Sequence, residues 1–283
     1  MTSRKYSYYD LTVTTQGPTY PPSEVMDKNG NFIVIGILNL SDSNNELYQK
    51  WGAAIVDKKS VLPKFGENAP YMILKFLDLS NVKEMDMDLY TLPLPLPCNN
   101  YPMIFAPDQV AEPLLVRRKS LPFHLAYIPD LRPMDGRKLS HPITLGQWIK
   151  AQGRLKVLIS NDLRSATFSF DFHNLIPNSL YTVMALREHD LDPLHLSRPS
   201  PLGVPNVFIT DKSGDANYEA IMPNPFSIEK EYEKRNRIIN VIVLWMSSQM
   251  SYGGAIGHYG LGGDIHAQLK LKTKSFMELQ TID

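Results

Sequence analysis

Alternation of apolar and polar residues, the mark of a strand with one buried face, runs through most of this chain. YSYYDLTVTT (6–15), NFIVIGILNL (31–40) and APYMILKFLDL (69–79) are rich in aromatic and β-branched residues and are bounded by Gly, Pro, Asn or Asp. RLKVLIS (154–160) leads through Asn-Asp into RSATFSFDFH (164–173), where Ala166, Phe168, Phe170 and Phe172 share one face. NLIPNSLYTVMAL (174–186) predicts a further strand, and VPNVFITDKSGDANYEAIM (204–222) a hairpin that turns at DKSGD. RIINVIVLWMSS (237–248) reads as an internal strand, apolar on both faces. In HAQLKLKTKSF (266–276), Lys270, Lys272 and Lys274 alternate with Leu269, Leu271 and Thr273. Such a lysine row normally guards a solvated sheet edge.

The alternation breaks in three places. SDSNNELYQKWGAAI (41–55) reads as a short helix capped by Ser41 or Asp42. Residues 91–142 hold ten prolines, including TLPLPLP, which neither a regular helix nor a central strand tolerates. An extended segment crossing the protein surface is expected there, since the interleaved leucines favour burial over use as a polyproline ligand. In SHPITLGQWIKAQGR (140–154) Thr144 suits an N-cap, Leu145, Trp148 and Ile149 share a face, and Gly153 suits the position after the helix. A short helix plugging one end of the β-structure follows from this.

The breaks divide the chain into a β-rich region (1–90), a proline-rich crossing (91–142) and a second β-rich region (143–283). At 283 residues, 43% hydrophobic and 20% charged, the chain has the make-up of a globular protein of one large domain or two smaller ones. Lys plus Arg equals Asp plus Glu at 29 each, so there is no basic excess to neutralise phosphates, and nucleic acid is not an expected partner. The single cysteine, Cys98, excludes an intrachain disulfide, a Cys-based zinc cluster and a CxxC pair, and nothing near it in sequence stabilises a thiolate. The N-terminus lacks the apolar stretch of a signal peptide, and the longest apolar runs, FIVIGIL and VIVLWM, are too short to span a membrane. A soluble chain is expected, and an exported protein whose leader has been removed would read the same way.

LIPNSLYTV, with Leu175, Pro177, Tyr181 and Val183, is similar to the F strand of fibronectin type III and immunoglobulin-like domains. There, a tyrosine buries its ring at the corner while its hydroxyl bonds back to nearby backbone. ITDKSGDANYEAI resembles a strand–turn–strand unit of bacterial immunoglobulin-like modules. With TLGQWIKAQGR and PLGVPNVFITDKSGDANYE, residues 140–274 resemble an uncharacterised family of bacterial exported β-sandwich proteins, with Met184 standing where similar sequences carry Trp. The resemblance implies a mainly β protein: an immunoglobulin-like or jelly-roll-type β-sandwich in the C-terminal half, with a β-rich N-terminal layer or domain added. Its motifs concern fold and carry no catalytic residue.

Candidate chemistry concentrates in two loops. YGGAIGHYGLGGDIH (252–266) has no Lys to complete a phosphate loop, and Ile265 breaks the dinucleotide pattern that Gly260 and Gly262 begin. Asp264 and His266 would share a strand face and His258 would fold back across the loop, a donor set suited to zinc, iron or manganese. The simpler account is a long glycine turn carrying polar residues. REHDLDPLH (187–195) places His189, Asp190, Asp192 and His195 after a strand, where sandwiches carry binding residues, though LDP is also a turn signal. Asp171 and His173 share a strand face and read as a surface ion pair, and no G-x-S-x-G elbow supports a Ser-His-Asp triad. Tyr252 and Tyr259 suit stacking on sugars or anchoring a protein. Two readings follow. One is a non-catalytic binding or structural module, free of cofactor, that takes a protein or glycan on loops 187–203 and 250–264 through Tyr252, Tyr259, His189 and His195. The alternative is a metal-dependent enzyme using His258, Asp264 and His266, with His189 or His195, around a divalent ion such as zinc.

Overall fold

The computed structural model describes residues 6–17, 23, 25–61, 68–91, 121–125, 139–192, 194, 199–232, 235–247, 249 and 265–282. The fold is mainly β. Its strands are β1 (Tyr6–Val13), β2 (Phe32–Ser41), β3 (Leu47–Val56), β4 (Ile73–Phe76), β5 (Tyr90–Thr91), β6 (Leu121–Pro122), β7 (Gln152–Ile159), β8 (Ser165–His173), β9 (Leu180–Arg187), β10 (Ser200–Pro201), β11 (Val207–Ile209), β12 (Ala216–Pro223), β13 (Ile238–Met246) and β14 (Ile265–Lys270). Two short helices, α1 (Val82–Met85) and α2 (Leu145–Ile149), join them.

The largest sheet runs β10–β9–β13–β14–β1–β7–β8–β12, with β11 also on β9. β1 is its hinge strand: residues Tyr6 to Leu11 pair with β7, while Thr12 and Val13 pair with β14. The sheet thereby folds into two arms around a shared core. Phe172 of β8 stacks on Phe208 of β11 at 4.9 Å, and Phe208 stacks in turn on Tyr181 of β9 at 5.3 Å. Ala166, Phe168, Phe170 and Phe172 are all buried, as their alternation predicts. Every residue of β13 is buried, so it is the internal strand expected from its two apolar faces.

The N-terminal strands form a third layer. Strands β2, β3 and β4 make a second sheet, and Val34, Ala54 and Val56 pack against Met184, Ile242 and Leu244 on the outer side of the β9–β13 arm. The 1–90 region does not stand apart, however, because β1 completes the large sheet. Just beyond β1, side chains stand in for a strand along the edge of β2. Thr15 Oγ1 donates to Ile33 O (2.7 Å) and accepts from Ile35 N (2.8 Å), and the Gln16 side-chain amide bonds both Ile37 O (3.0 Å) and Ile37 N (2.9 Å). Buried backbone groups are thus satisfied without another strand.

One five-residue turn recurs three times, as DKNGN, DSNNE and DKSGD. In each, the carboxylate of Asp27, Asp42 or Asp211 accepts from the amides two and four residues ahead. The fourth residue takes a left-handed conformation, with φ of 80° at Gly30, 62° at Asn45 and 83° at Gly214. Two expectations are corrected here. Asp42 caps the turn of a β2–β3 hairpin rather than a helix, and the pairing runs unbroken from Ser41↔Leu47 to Phe32↔Val56. DKSGD does not close a hairpin: β11 pairs with β9 and β12 with β8, so the turn carries the chain from one arm to the other. A Cβ at Gly214 would lie 2.1 Å from Leu175 O, so the crossing admits only glycine.

Helix α2 forms with a capping box between Thr144 and Gln147, and buries Leu145 and Trp148. Trp148 Nε1 donates to Thr14 O (2.9 Å), which seats the plug at the end of the core. Gly153 does not cap this helix. It lies in β7, where a Cβ would press on Leu269, Leu11 and Phe172 at 2.9–3.1 Å. Tyr181 buries its ring, and its hydroxyl accepts from Ile176 N (2.8 Å) and donates to Gln268 Oε1 (2.6 Å). Gln268 Nε2 then donates to Trp148 O (3.0 Å), linking Tyr181 to the plug. A bulge in the β13–β14 pairing turns Gln268 toward the core.

The lysine row is not an edge. β14 lies between β13 and β1, and its alternation carries Lys270 into the interface with the third layer, where it is 6% exposed. Its Nζ donates to Gln16 O (3.2 Å) and lies 5.6 Å from the Trp51 ring. Lys272 and Lys274 follow the end of the strand and are exposed. Most of the proline-rich crossing, Cys98 included, lies outside the described residues.

Candidate functional site

Of the residues singled out in the two loops, His195, Tyr252, His258, Tyr259 and Asp264 lie outside the described residues. His189 and His266 are both placed, and both are buried. His189 sits in the turn Glu188–Leu191, stacks on Tyr232 at 4.2 Å and puts Nε2 3.1 Å from Tyr232 O. Its neighbours hold the same turn: Asp190 accepts from Arg187 N (2.6 Å), and Asp192 accepts from the Tyr232 hydroxyl and from Leu194 N.

His266 is buried against Phe123 and Trp245, with Nε2 3.0 Å from Ser247 Oγ. Desolvation pushes its pKa down to about 3, so the imidazole is neutral. The strand register separates the two histidines. Trp245 pairs with Tyr181 and with His266, whereas Ile238 pairs with Arg187. His189 and His266 therefore flank opposite ends of β9, roughly 20 Å apart at about 3.3 Å per residue. They do not share a site. Among the described residues, no group of three or more His, Cys, Asp or Glu side chains is arranged to hold a metal ion.

A surface away from both candidate loops lies on the outer side of β1, β7, β8 and β12. The register sets its side chains in three rows: Asp10–Arg154–Asp171–Asn217, Tyr8–Lys156–Ser169–Glu219 and Tyr6–Leu158–Thr167–Ile221. Tyr6 and Tyr8 are 54% and 51% exposed, and their rings meet edge to face at 5.5 Å. Arg154 lies over the Tyr8 ring at 4.6 Å and Lys156 over the Tyr6 ring at 5.4 Å, so each ring carries a cation from the next strand. Ser169 Oγ donates to Glu219 Oε2 (2.9 Å). At one end His173 stands between Asp171 (3.4 Å) and Asp215 (3.2 Å), the expected ion pair with a second carboxylate added. The hydrogen bond that the ring donates to Asp215 and the two negative charges raise its pKa. The signal for this face was present in YSYYD, but alternation alone does not say which strand face stays open.

A cavity of about 300 Å³ lined by Asp27, Lys28, Asn29, Asp86, Met87, Asp88 and Tyr90 is the other candidate. Its deepest carboxylate, Asp27, is occupied by the amides of Asn29 and Asn31 and the Asn31 side chain.

No protein-family model, curated protein or solved structure matches the chain. Among the described residues, no helix is long and apolar enough to cross a membrane.

Proposed function

We propose that this chain is a non-catalytic binding protein whose ligand is an uncharged glycan, held on the outer face of β1, β7, β8 and β12. The observation that carries this reading is the pair of half-exposed tyrosines, Tyr6 and Tyr8, each carrying a cation from the neighbouring strand, Lys156 or Arg154. A ring immobilised before binding offers a flat apolar face at little entropic cost. The surrounding Ser, Thr, Asn, Asp, Glu and Arg side chains supply donors and acceptors for hydroxyl groups. Charge favours a neutral partner: Asp10, Asp171 and Glu219 are interleaved with Arg154 and Lys156, so neither a polyanion nor a polycation meets a surface of one sign.

Affinity electrophoresis in gels containing neutral polysaccharides (β-glucan, xylan, mannan and starch) tests the reading. Retardation in at least one gel is expected, unchanged by added salt and reduced at least tenfold in Tyr6→Ala/Tyr8→Ala. Tyr48→Ala, which alters an exposed tyrosine on the third layer, should leave it intact. Migration unaffected by every polysaccharide, or retardation that survives loss of both tyrosines, refutes the proposal.

A further inference from the structure

Trp245 and His266 lie directly across from one another on β13 and β14, with ring centres 5.8 Å apart. Both side chains are buried, at 0% and 1% exposure. Trp245 Nε1 and His266 Nδ1 nevertheless have no hydrogen-bond partner among the described residues. Two such atoms on adjacent rings call for an explanation, because buried polar groups in folded proteins are almost always satisfied.

The Phe123 ring does not supply one. A ring N–H points outward in the plane of its own ring, so it needs a near-perpendicular neighbour to meet a π face. Phe123 is tilted only 34° to Trp245 and 31° to His266. Among the described residues Trp148, at 82° to Trp245, is the ring whose face could receive the indole edge, and that contact would still leave His266 Nδ1 without a partner.

The two atoms differ in kind. An indole N–H only donates. The imidazole is neutral and has Ser247 Oγ at Nε2, so when Nε2 carries the proton, Nδ1 presents a lone pair. One donor beside one acceptor is the complement of a hydroxyl group, whose oxygen accepts from the indole while its hydrogen is given to the imidazole. The indole dipole directs its positive end outward, which disfavours a cation, and the apolar rings of Phe123 and Trp148 disfavour an anion. We propose that this end of the core binds a single hydroxyl group between Trp245 Nε1 and His266 Nδ1, provided by an internal water or by a small alcohol.

Crystals of the full chain grown without alcohol, and the same crystals soaked in ethanol, test this and separate the two sources. A peak within hydrogen-bond distance of both nitrogens in the unsoaked crystal identifies water, and one present only after soaking identifies the alcohol. Nitrogen-15 spectra of the histidines provide a second readout that needs no variant. The wild-type chain should show His266 as the Nε2–H tautomer, with Nδ1 hydrogen-bonded. Trp245→Phe should shift the Nδ1 resonance and, where the unsoaked crystal shows water at the site, remove one long-lived internal water from the relaxation dispersion of water oxygen. Maps with no peak in either crystal, a protein atom in contact with both nitrogens, the Nδ1–H tautomer, or an indole N–H seated on the Trp148 ring would each overturn the proposal.

Discussion

Acid should unfold this protein through His266. The imidazole is enclosed by Phe123, Trp245 and the Ser247 hydroxyl, and burial lowers its pKa from 6.5 to about 3. The unfolded chain therefore binds a proton that the fold refuses throughout the interval between those values. Stability from this group is intact above pH 6.5 and is lost as the pH falls toward 3. At pH 4 the loss amounts to about 3 kcal/mol, since each pK unit is worth about 1.36 kcal/mol and the unfolded histidine is then some 2.5 units below its pKa. Such a loss is a large share of the roughly 5–15 kcal/mol that holds a domain together. The assay is urea unfolding followed by tryptophan fluorescence at pH 7, 5.5 and 4, on the wild type and on His266→Gln. Glutamine stays neutral at each pH and can still bond Ser247. Carboxylates and other histidines titrate alike in both chains and cancel in the difference. The wild type should lose about 3 kcal/mol more than the variant between pH 7 and pH 4. Parallel pH profiles would show that the imidazole is already solvated in the fold, and the reasoning would fail.

Two further substitutions probe buried cations with opposite expectations. Arg237 donates to four backbone carbonyls, those of Phe226, Ser227, Phe276 and Leu279, at 2.7–3.1 Å, and so staples the C-terminal segment to the loop before β13. Arg237→Lys cannot reproduce that fork and should cost about 2–4 kcal/mol in urea unfolding, with faster amide exchange at Leu279 and Thr281. Lys270 is buried with its pKa lowered from 10.5 to about 8 by desolvation, so its charge costs stability below pH 8, and the cost disappears as the pH rises toward 10.5. Between those values the wild type should gain about 3 kcal/mol relative to Lys270→Met, and a flat difference would contradict the burial.

The parts of the fold that sequence makes plain are those fixed by local period. Four apolar residues at strict alternation place β8, the apolar run VIVLWM places β13, and Thr144 with Gln147 starts α2. Failures arose where the deciding contact is remote. The turn DKSGD has the same local chemistry as DSNNE, yet one closes a hairpin and the other crosses between arms. What separates them is Phe208, held between Tyr181 and Phe172 on opposite arms, and nothing within the turn reports that stacking. Alternation puts Lys270 on the face opposite Leu269. Its burial follows from Trp51 and Gln16 of a layer that local alternation cannot bring into contact. His266 has the same history: its neighbours Phe123 and Trp245 turn a candidate ligand into a core residue.

The two arms of the large sheet differ in a way that bears directly on where the proposed ligand would sit. On the β9–β13 arm the outward positions are Met184, Leu186, Ile242 and Leu244, and the β2–β3–β4 layer covers them. On the β7–β8 arm the outward positions are Arg154, Lys156, Ser169 and Asp171, and among the described residues no layer covers them. Yet the hinge strand β1 directs Tyr6 and Tyr8 to this open side while sending Leu11 into the core. Burying those rings against a flat partner would remove apolar surface from water at about 25 cal/mol per Å², a gain that two serines at the same positions could not provide. The open arm, the cation-bearing rings and the interleaved charges therefore point to one surface, and that surface is where a ligand of this protein should be sought.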